Sequence, residues 1–351
     1  MRDVAIVSFA QSPSIRRETS KNDVEMLMPV LRDAIARSGV KRDRIGFWCS
    51  GSTDFITGQP FSFVGALDAV GAWPPIAESH VEMDGAFALY EAWLRMQHEP
   101  IDAAVVYSFG RSSLGDLPDV MSLQLDPYYL APLWPDAISL AALQARAYLD
   151  AGGDTERDLA EVAVRNRKNA ISNPNAQVKG ESDIDTLLAE PYIASPLRAH
   201  DCPPISDACA AVVLVAGDYA REVAKHPAWI RGIDHRIEAQ YPGLRNLTES
   251  RSTAIAAEKA GVRNGKVDVA EIHAPFTHQE LIVLDALDLW PGVEVNPSGG
   301  ALAAHPIMSA GLIRMGEVAN RILAGDAKRG VAHATSGPCL QQNLVCVLEA
   351  G

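Results

Sequence analysis

Three short stretches of this chain hold residue types that can do chemistry. The first is EVNPSGGALAAHP, residues 294–306. Its adjacent glycines, Gly299 and Gly300, free the backbone to take positive φ and to approach a ligand closely. His305 follows, directly before Pro306. An imidazole there can exchange a proton near neutral pH or donate to a developing oxyanion. A plain Gly-rich turn with a locally capping histidine fits the same residues. The second stretch is AEIHAPFTHQEL, 270–281, where His273 closes an apolar strand at the place where an α/β sheet offers side chains to a cleft. A lone histidine in such a place is more often structural. His278 and Glu280, on the helix that follows, read as solvated surface. The third is HVEMDGAFALYEAW, 80–93, with Glu82 and Asp84 just ahead of apolar residues at helical spacing. Acids commonly open helices, because the first-turn N–H groups are unpaired and carry partial positive charge. A buried carboxylate in that place can instead serve as a base, if burial raises its pKa.

These groups need a scaffold, and the sequence has room for one. The chain has 351 residues, 48% of them hydrophobic, enough for a large core and two halves. No apolar run reaches the roughly 20 residues of a membrane span, and no secretory signal is evident at the N-terminus. A net charge of −13 without a basic patch argues against nucleic acid. Cys49, Cys202, Cys209, Cys339 and Cys346 are scattered and odd in number. That pattern suits reduced thiols and a cytoplasmic setting, and opposes a disulfide scaffold or a cysteine zinc site.

Short apolar runs alternate with helical patterns. Strands are expected at 3–10, 46–51 and 101–110, with helices at 22–38 and 85–98. Residues 111–135 lack periodicity and read as an irregular excursion that shapes a pocket. Helices follow at 136–151 and 156–171, then loop-rich sequence to about 205. The βα rhythm resumes near 229, with helices at 250–261, 276–288 and 306–324 and strands at 267–274, 331–336 and 343–349. The division is therefore 1–225, including an insert of about 111–205, and 226–351. Arg165, Arg167, Lys168 and Lys179 read as a solvated face. SDACAAVVLVAG, 206–217, reads as tightly packed structure.

NPSGGALAAHP, with EIHAPF upstream and NPNAQ…DCPPISDACAAVVL before it, resembles the thiolase superfamily over nearly the whole chain. It is most similar to the sterol carrier protein-x thiolases and the lipid-transfer protein aldolases. The resemblance implies a duplicated α/β thiolase fold, five layers α-β-α-β-α, here with an irregular loop insert. It implies no bound cofactor, with coenzyme A arriving as part of an acyl-CoA substrate. It implies a homodimer or a heterodimer with another thiolase-like chain, and a possible OB-fold/zinc-ribbon partner protein.

In thiolases a nucleophilic cysteine heads a buried helix of the first half. Matching Gly85 and Ala88-Leu89 onto that pattern puts Glu82 at the cysteine position, and a slip of one or two residues puts Met83 or Asp84 there. No register supplies a thiol. Cys339, in TSGPCLQQN, is the candidate match for the second thiolase cysteine. By the same resemblance His273 stands where thiolases orient a catalytic water, and His305 near their oxyanion position. Tyr128 and Tyr129, in the insert, are candidate acids and substrate contacts. An acid/base and oxyanion site without a nucleophile suits retro-aldol cleavage of a bulky β-hydroxyacyl-CoA, for which sterol side chains are one source. A scaffold subunit and a conventional acyltransferase are the competing expectations.

Overall fold

The structure is a computed structural model that describes residues 1–58 and 60–351. Among the described residues the strands are β1 (Val4–Gln11), β2 (Ile45–Gly51), β3 (Glu78–Val81), β4 (Ala103–Arg111), β5 (Tyr192–Ala194), β6 (Leu197–Arg198), β7 (Asp207–Ala216), β8 (Ala228–Ile237), β9 (Val269–Ile272), β10 (Glu294–Val295), β11 (Arg329–Ser336) and β12 (Gln342–Ala350). The α-helices are α1 (Asp23–Ser38), α2 (Asp54–Thr57), α3 (Ser62–Val70), α4 (Gly85–His98), α5 (Leu117–Leu123), α6 (Ala137–Ala151), α7 (Glu156–Asn169), α8 (Ile184–Leu188), α9 (Gly217–Val223), α10 (Arg251–Ala260), α11 (Thr277–Leu287), α12 (Gly300–Ala303) and α13 (Ala310–Ala324). None of these helices is long and apolar enough to cross a membrane.

Ten strands share one sheet in the order β10-β9-β11-β12-β8-β1-β7-β4-β2-β3. Residues before 226 supply β1, β7, β4, β2 and β3, and the later residues supply the other five. The halves meet at a narrow seam, where Ala5 pairs with Trp229 and Ile6 with Ala228. Strand side chains alternate between faces, as the pleat requires. Val4 and Ile6 of β1, Val212 and Leu214 of β7, and Leu344 and Cys346 of β12 enter a central core with α4 and α13. Ala5 and Val213 face a second cluster that includes Leu27 and Leu31 of α1. Val345 and Val347 face a third, with α10 and α11 residues Ala257 and Val283. The result is the order helices, sheet, helices, sheet, helices: an α/β fold of five layers.

The central helix pair is fastened by one side chain. Asp84 is the N-cap of α4 and is 2% exposed. It accepts hydrogen bonds from the backbone N–H of Ala86 at 2.8 Å, of Gly311 at 2.8 Å and of Leu312 at 3.0 Å. The last two belong to the first turn of α13, so one carboxylate serves the unpaired donors of two helices. Gly85 and Gly311 make that approach possible. A Cβ on Gly85 would sit 2.6 Å from Ser108 Cβ, and one on Gly311 would sit 2.6 Å from Asp84 Oδ1.

Several expectations need correcting. Within the insert α6 and α7 stand where helices were expected, but the 111–135 excursion also holds α5, and the loop-rich sequence after α7 holds α8 and the β5–β6 hairpin. β3, the edge strand ESHV, gave no periodic signal in four residues. The expected helix 306–324 starts later, because His305–Ser309 is a loop separating α12 from α13. His278 and Glu280 are not surface residues; both are buried, since α6 and α7 cover the outer side of α11.

Replacing Asp84 with Ala leaves three buried N–H groups unpaired and is expected to cost about 3 kcal/mol or more. Asp84→Asn, which keeps an acceptor, is expected to lose less. Chemical denaturation of the two variants checks this, and an unchanged unfolding midpoint for Asp84→Ala would remove the carboxylate from its structural role.

Candidate active site

His273 lies one residue past the C-terminal end of β9, whose neighbour β11 runs parallel to it. The backbone of β11 positions this histidine twice. His273 donates its N–H to the His333 carbonyl at 3.2 Å. Thr335 donates its N–H to His273 Nδ1 at 3.3 Å. With Nδ1 accepting, the neutral ring carries its proton on Nε2. That nitrogen lies 3.1 Å from Nε2 of His305, and the ring centroids are 5.2 Å apart. His273 Nε2 is thus the donor and His305 Nε2 the acceptor.

His305 rides on the loop between α12 and α13, and this loop is laid over the first-half sheet. His305 donates its N–H to Ser206 Oγ at 3.0 Å, and Ile307 donates to Ser112 Oγ at 3.2 Å. Gly85, at the head of α4, donates to the Met308 carbonyl at 2.8 Å. Met308 takes φ of 78°, a left-handed value uncommon for such a side chain. The tightest contact is at Gly110 near the end of β4. A Cβ there would fall 1.8 Å from the Ile307 carbonyl oxygen.

Both rings are held neutral. Burial pushes His305 down to about 4, and the Arg314 charge adds to it. Burial also holds His273 well below the usual histidine range, helped by His305, His333 and Arg314. Arg314 is itself compensated: it pairs with Glu271 at 2.6 Å. Glu271 in turn accepts from the Ser298 N–H at 2.9 Å and hydroxyl at 2.7 Å. This buried cluster ties β9, α13 and the NPSGG turn together beneath the histidines.

The other expected site residues are placed elsewhere. Glu82 is half-exposed and bonds the Asp54 N–H at 2.6 Å and His80 Nε2 at 3.0 Å. Both Asp84 oxygens are taken up by the N–H groups of α4 and α13. Burial pushes the Asp84 carboxyl up, while those donors and Arg314 pull it down. Neither acid contacts the histidine pair. Cys339 is buried beside Leu125, Leu130 and Leu140, and burial pushes its thiol up to about 11. Cys49, Cys202 and Cys209 are pushed to about 12, and Cys346 is also raised, so none of the five thiols favours the thiolate. Gly299 and Gly300 have φ of 100° and 63° and are buried. A Cβ on Gly299 would strike Ala170 and Ala303 at 2.6 Å, and one on Gly300 would strike Asn296 at 2.6 Å. Close internal packing is what demands glycine there, not an approaching ligand. Tyr128 and Tyr129 stand on the surface, 82% and 65% exposed. Arg165 is not a free surface cation: it pairs with the buried Glu280.

Thr335, Ser206, Gly110, Glu271 and Arg314 were not singled out from the sequence. Glu271 did leave a signal, being the lone charge inside the apolar strand VAEI. A cavity of about 530 Å³, lined by Gln11, Asn173, Ser298 and Glu317, opens beside this cluster but takes in neither histidine.

Residues 237–347 match the family described as the thiolase C-terminal domain. The chain is 24% identical over 380 residues to sterol carrier protein 2 of Gallus gallus, covering 94% of this chain and 68% of that one. The chain is therefore similar to thiolase-superfamily proteins over most of its length. It is also 30% identical over 227 residues to an acetyl-CoA acetyltransferase of Methanothermobacter thermautotrophicus. That match spans 57% of this chain and 58% of the relative. The solved structure of an "Ltp2-ChsH2(DUF35) aldolase" superposes with a TM-score of 0.80 at 18% identity, covering 99% of this chain and 98% of that one. At that identity the likeness shows a shared thiolase fold.

Gly110→Ala forces the His305 loop off β4. Overpacking of this kind costs about 1–3 kcal/mol. The expected outcome is a folded protein that unfolds at a lower temperature by an amount on that scale, read by thermal unfolding followed by circular dichroism; an unchanged unfolding temperature would show that the loop does not press on β4.

Proposed function

We propose that this protein cleaves a β-hydroxyacyl thioester of coenzyme A by a retro-aldol reaction, with no acyl-enzyme. The observation that carries the reading is the His273–His305 pair: a fixed donor and an acceptor side by side, both neutral, with every cysteine elsewhere and raised. The thioester carbonyl oxygen and the β-hydroxyl of such a substrate are 1,3-related and come within hydrogen-bond separation of each other. Substrate binding therefore breaks the His273–His305 hydrogen bond and replaces it with one bond from each Nε2 to the substrate. His273 Nε2–H donates to the carbonyl oxygen and stabilises the charge that grows on it. His305 Nε2 takes the hydroxyl proton. The Cα–Cβ bond breaks, its electron pair forms the thioester enolate, and an aldehyde or ketone leaves. The proton held by His305 returns to Cα, giving the shortened acyl-CoA.

Acyl transfer is the second reading, favoured by the acetyl-CoA acetyltransferase among the relatives. A second thiolase-like chain or an OB-fold/zinc-ribbon protein is the partner class that either reading implies. The solved neighbour's own name, Ltp2-ChsH2, joins two components of that protein.

Incubation with a panel of β-hydroxyacyl-CoAs, followed by mass spectrometry of both products, tests the proposal. A carbonyl product together with a shortened acyl-CoA supports it. An acyl group trapped on a cysteine favours acyl transfer instead.

The pH dependence follows from the low histidine pKa. The base works when neutral, so activity is lost as pH falls through the His305 value of about 4. The acid limb of kcat/KM is expected near pH 4 and not near the usual 6.5. A limb near 6.5 would take the role of base away from His305.

A further inference from the structure

We propose that the cavity between β1, α1, the insert and α13 is a second binding site, separate from the histidine pair, which takes a small primary amine in its ammonium form with Glu317 as the counter-ion. The cavity holds about 530 Å³ and takes in neither histidine. Small-molecule sites commonly hold roughly 300–1,000 Å³. Its walls come from both halves of the chain and from the insert, and they are fixed. Phe9 of β1 packs on Gly316, where a Cβ would fall 2.1 Å from the Phe9 ring. The next residue, Glu317, is thereby set against β1, and Gln11 Nε2 donates to its Oε1 at 2.6 Å. On the other side Asn173 donates to the Ser298 carbonyl at 2.9 Å, and the Ser14 N–H donates to the Asn175 carbonyl at 2.9 Å. Those two bonds tie the insert to the NPSGG turn and to the segment after β1.

The charges of this wall do not cancel. Asp33 pairs with Arg37 at 2.6 Å, and Glu271 with Arg314 at 2.6 Å. Arg321, which also lines the cavity, pairs with Glu294 instead. Glu317 is left over: among the described residues it forms no ion pair, and Gln11 is its one hydrogen-bond partner. Burial and the Glu271 charge push its carboxyl up to about 7, against the pull of Arg314, Gln11 and Arg321. A carboxylate so placed gains from any cation that reaches it. The side-chain amides of Asn175 and Asn320, also on the wall, make no hydrogen bond to the protein among the described residues. Their oxygens are acceptors, and an ammonium group has three donors and no acceptor. Glu317 repels an anion. A bare metal ion lacks its ligands, since no three His, Cys, Asp or Glu gather to hold one among the described residues. The space is larger than a single ion needs, and Phe9, Ala10 and Pro297 give a short carbon chain an apolar strip.

Calorimetric titration of the full chain at pH 8 with 4-amino-1-butanol and with 1,4-butanediol tests this, because the two probes differ by one ammonium group. The wild type is expected to bind the amine at least tenfold more tightly than the diol. Glu317→Gln, which keeps the size of the side chain, should abolish that preference. Arg37→Gln, at the surface across the cavity, leaves Asp33 without its cation and should tighten amine binding severalfold. Glu317 must be ionised to hold the amine, so the wild-type affinity should fall by roughly tenfold per pH unit below about 7. Circular dichroism checks that both variants fold. Equal affinity of the wild type for the two probes, or a preference that survives in folded Glu317→Gln, overturns the inference. Coenzyme A should bind the wild type and Glu317→Gln alike, and a loss in the variant places the cavity on the substrate path and also overturns it. None of these results bears on the retro-aldol reading, which has its own assay.

Discussion

The buried carboxylate of Asp84 is the interaction on which the rest of the arrangement depends. Two helices begin beside it, and the unpaired N–H groups of both first turns converge there. A helix N-terminus is a local positive pole. In a thiolase-type site such a pole lowers the pKa of a thiol placed at the helix head. Here the pole is already neutralised by a fixed carboxylate. The electrostatic resource that would activate a nucleophile has been used to join α4 to α13. Through the bond from Gly85 to Met308, the same joint also sets the loop that carries His305.

The central layer tolerates few charges, and those it holds are balanced in place. The Arg314 charge is felt at both histidines, and Glu271 and the Ser298 hydroxyl answer it. Its field still discourages protonation of His273 and His305. The two imidazoles can therefore stand in contact without repelling each other. A site with one neutral donor and one neutral acceptor follows from burial and from one well-compensated arginine.

Much of the layered fold was legible in the sequence, because its strands and helices are long and strongly periodic. The apolar run VAIVSFA and the helical stripe after Asn22 are examples. β3 was not, since four half-buried residues of mixed polarity carry no period. His273 and His305 were legible as types at strand and loop ends. Their approach to each other was not, because it depends on parallel pairing of β9 with β11, some sixty residues apart, and on the His305 loop docking on Ser206, Ser112 and Gly85 of the first half. The acids at the head of α4 could be read as helix-start residues, but not the fact that Asp84 also serves a helix more than two hundred residues later. His278 and Glu280 were misjudged because a polar side of a helix predicts solvent only when no further layer covers it. In this chain the insert supplies that layer.

Gly110 has a consequence for how such a chain can change over time. Strand β4 and the loop that bears His305 come from opposite halves, yet the Ile307 carbonyl occupies the space that a side chain at position 110 would need. The two positions form a lock between sequence segments that otherwise drift independently. A lineage that replaces the glycine must redraw the loop in the same step. Glycine is therefore expected to persist at position 110 wherever this loop geometry is inherited, whatever side chain stands at 307, because the obstacle is a backbone carbonyl.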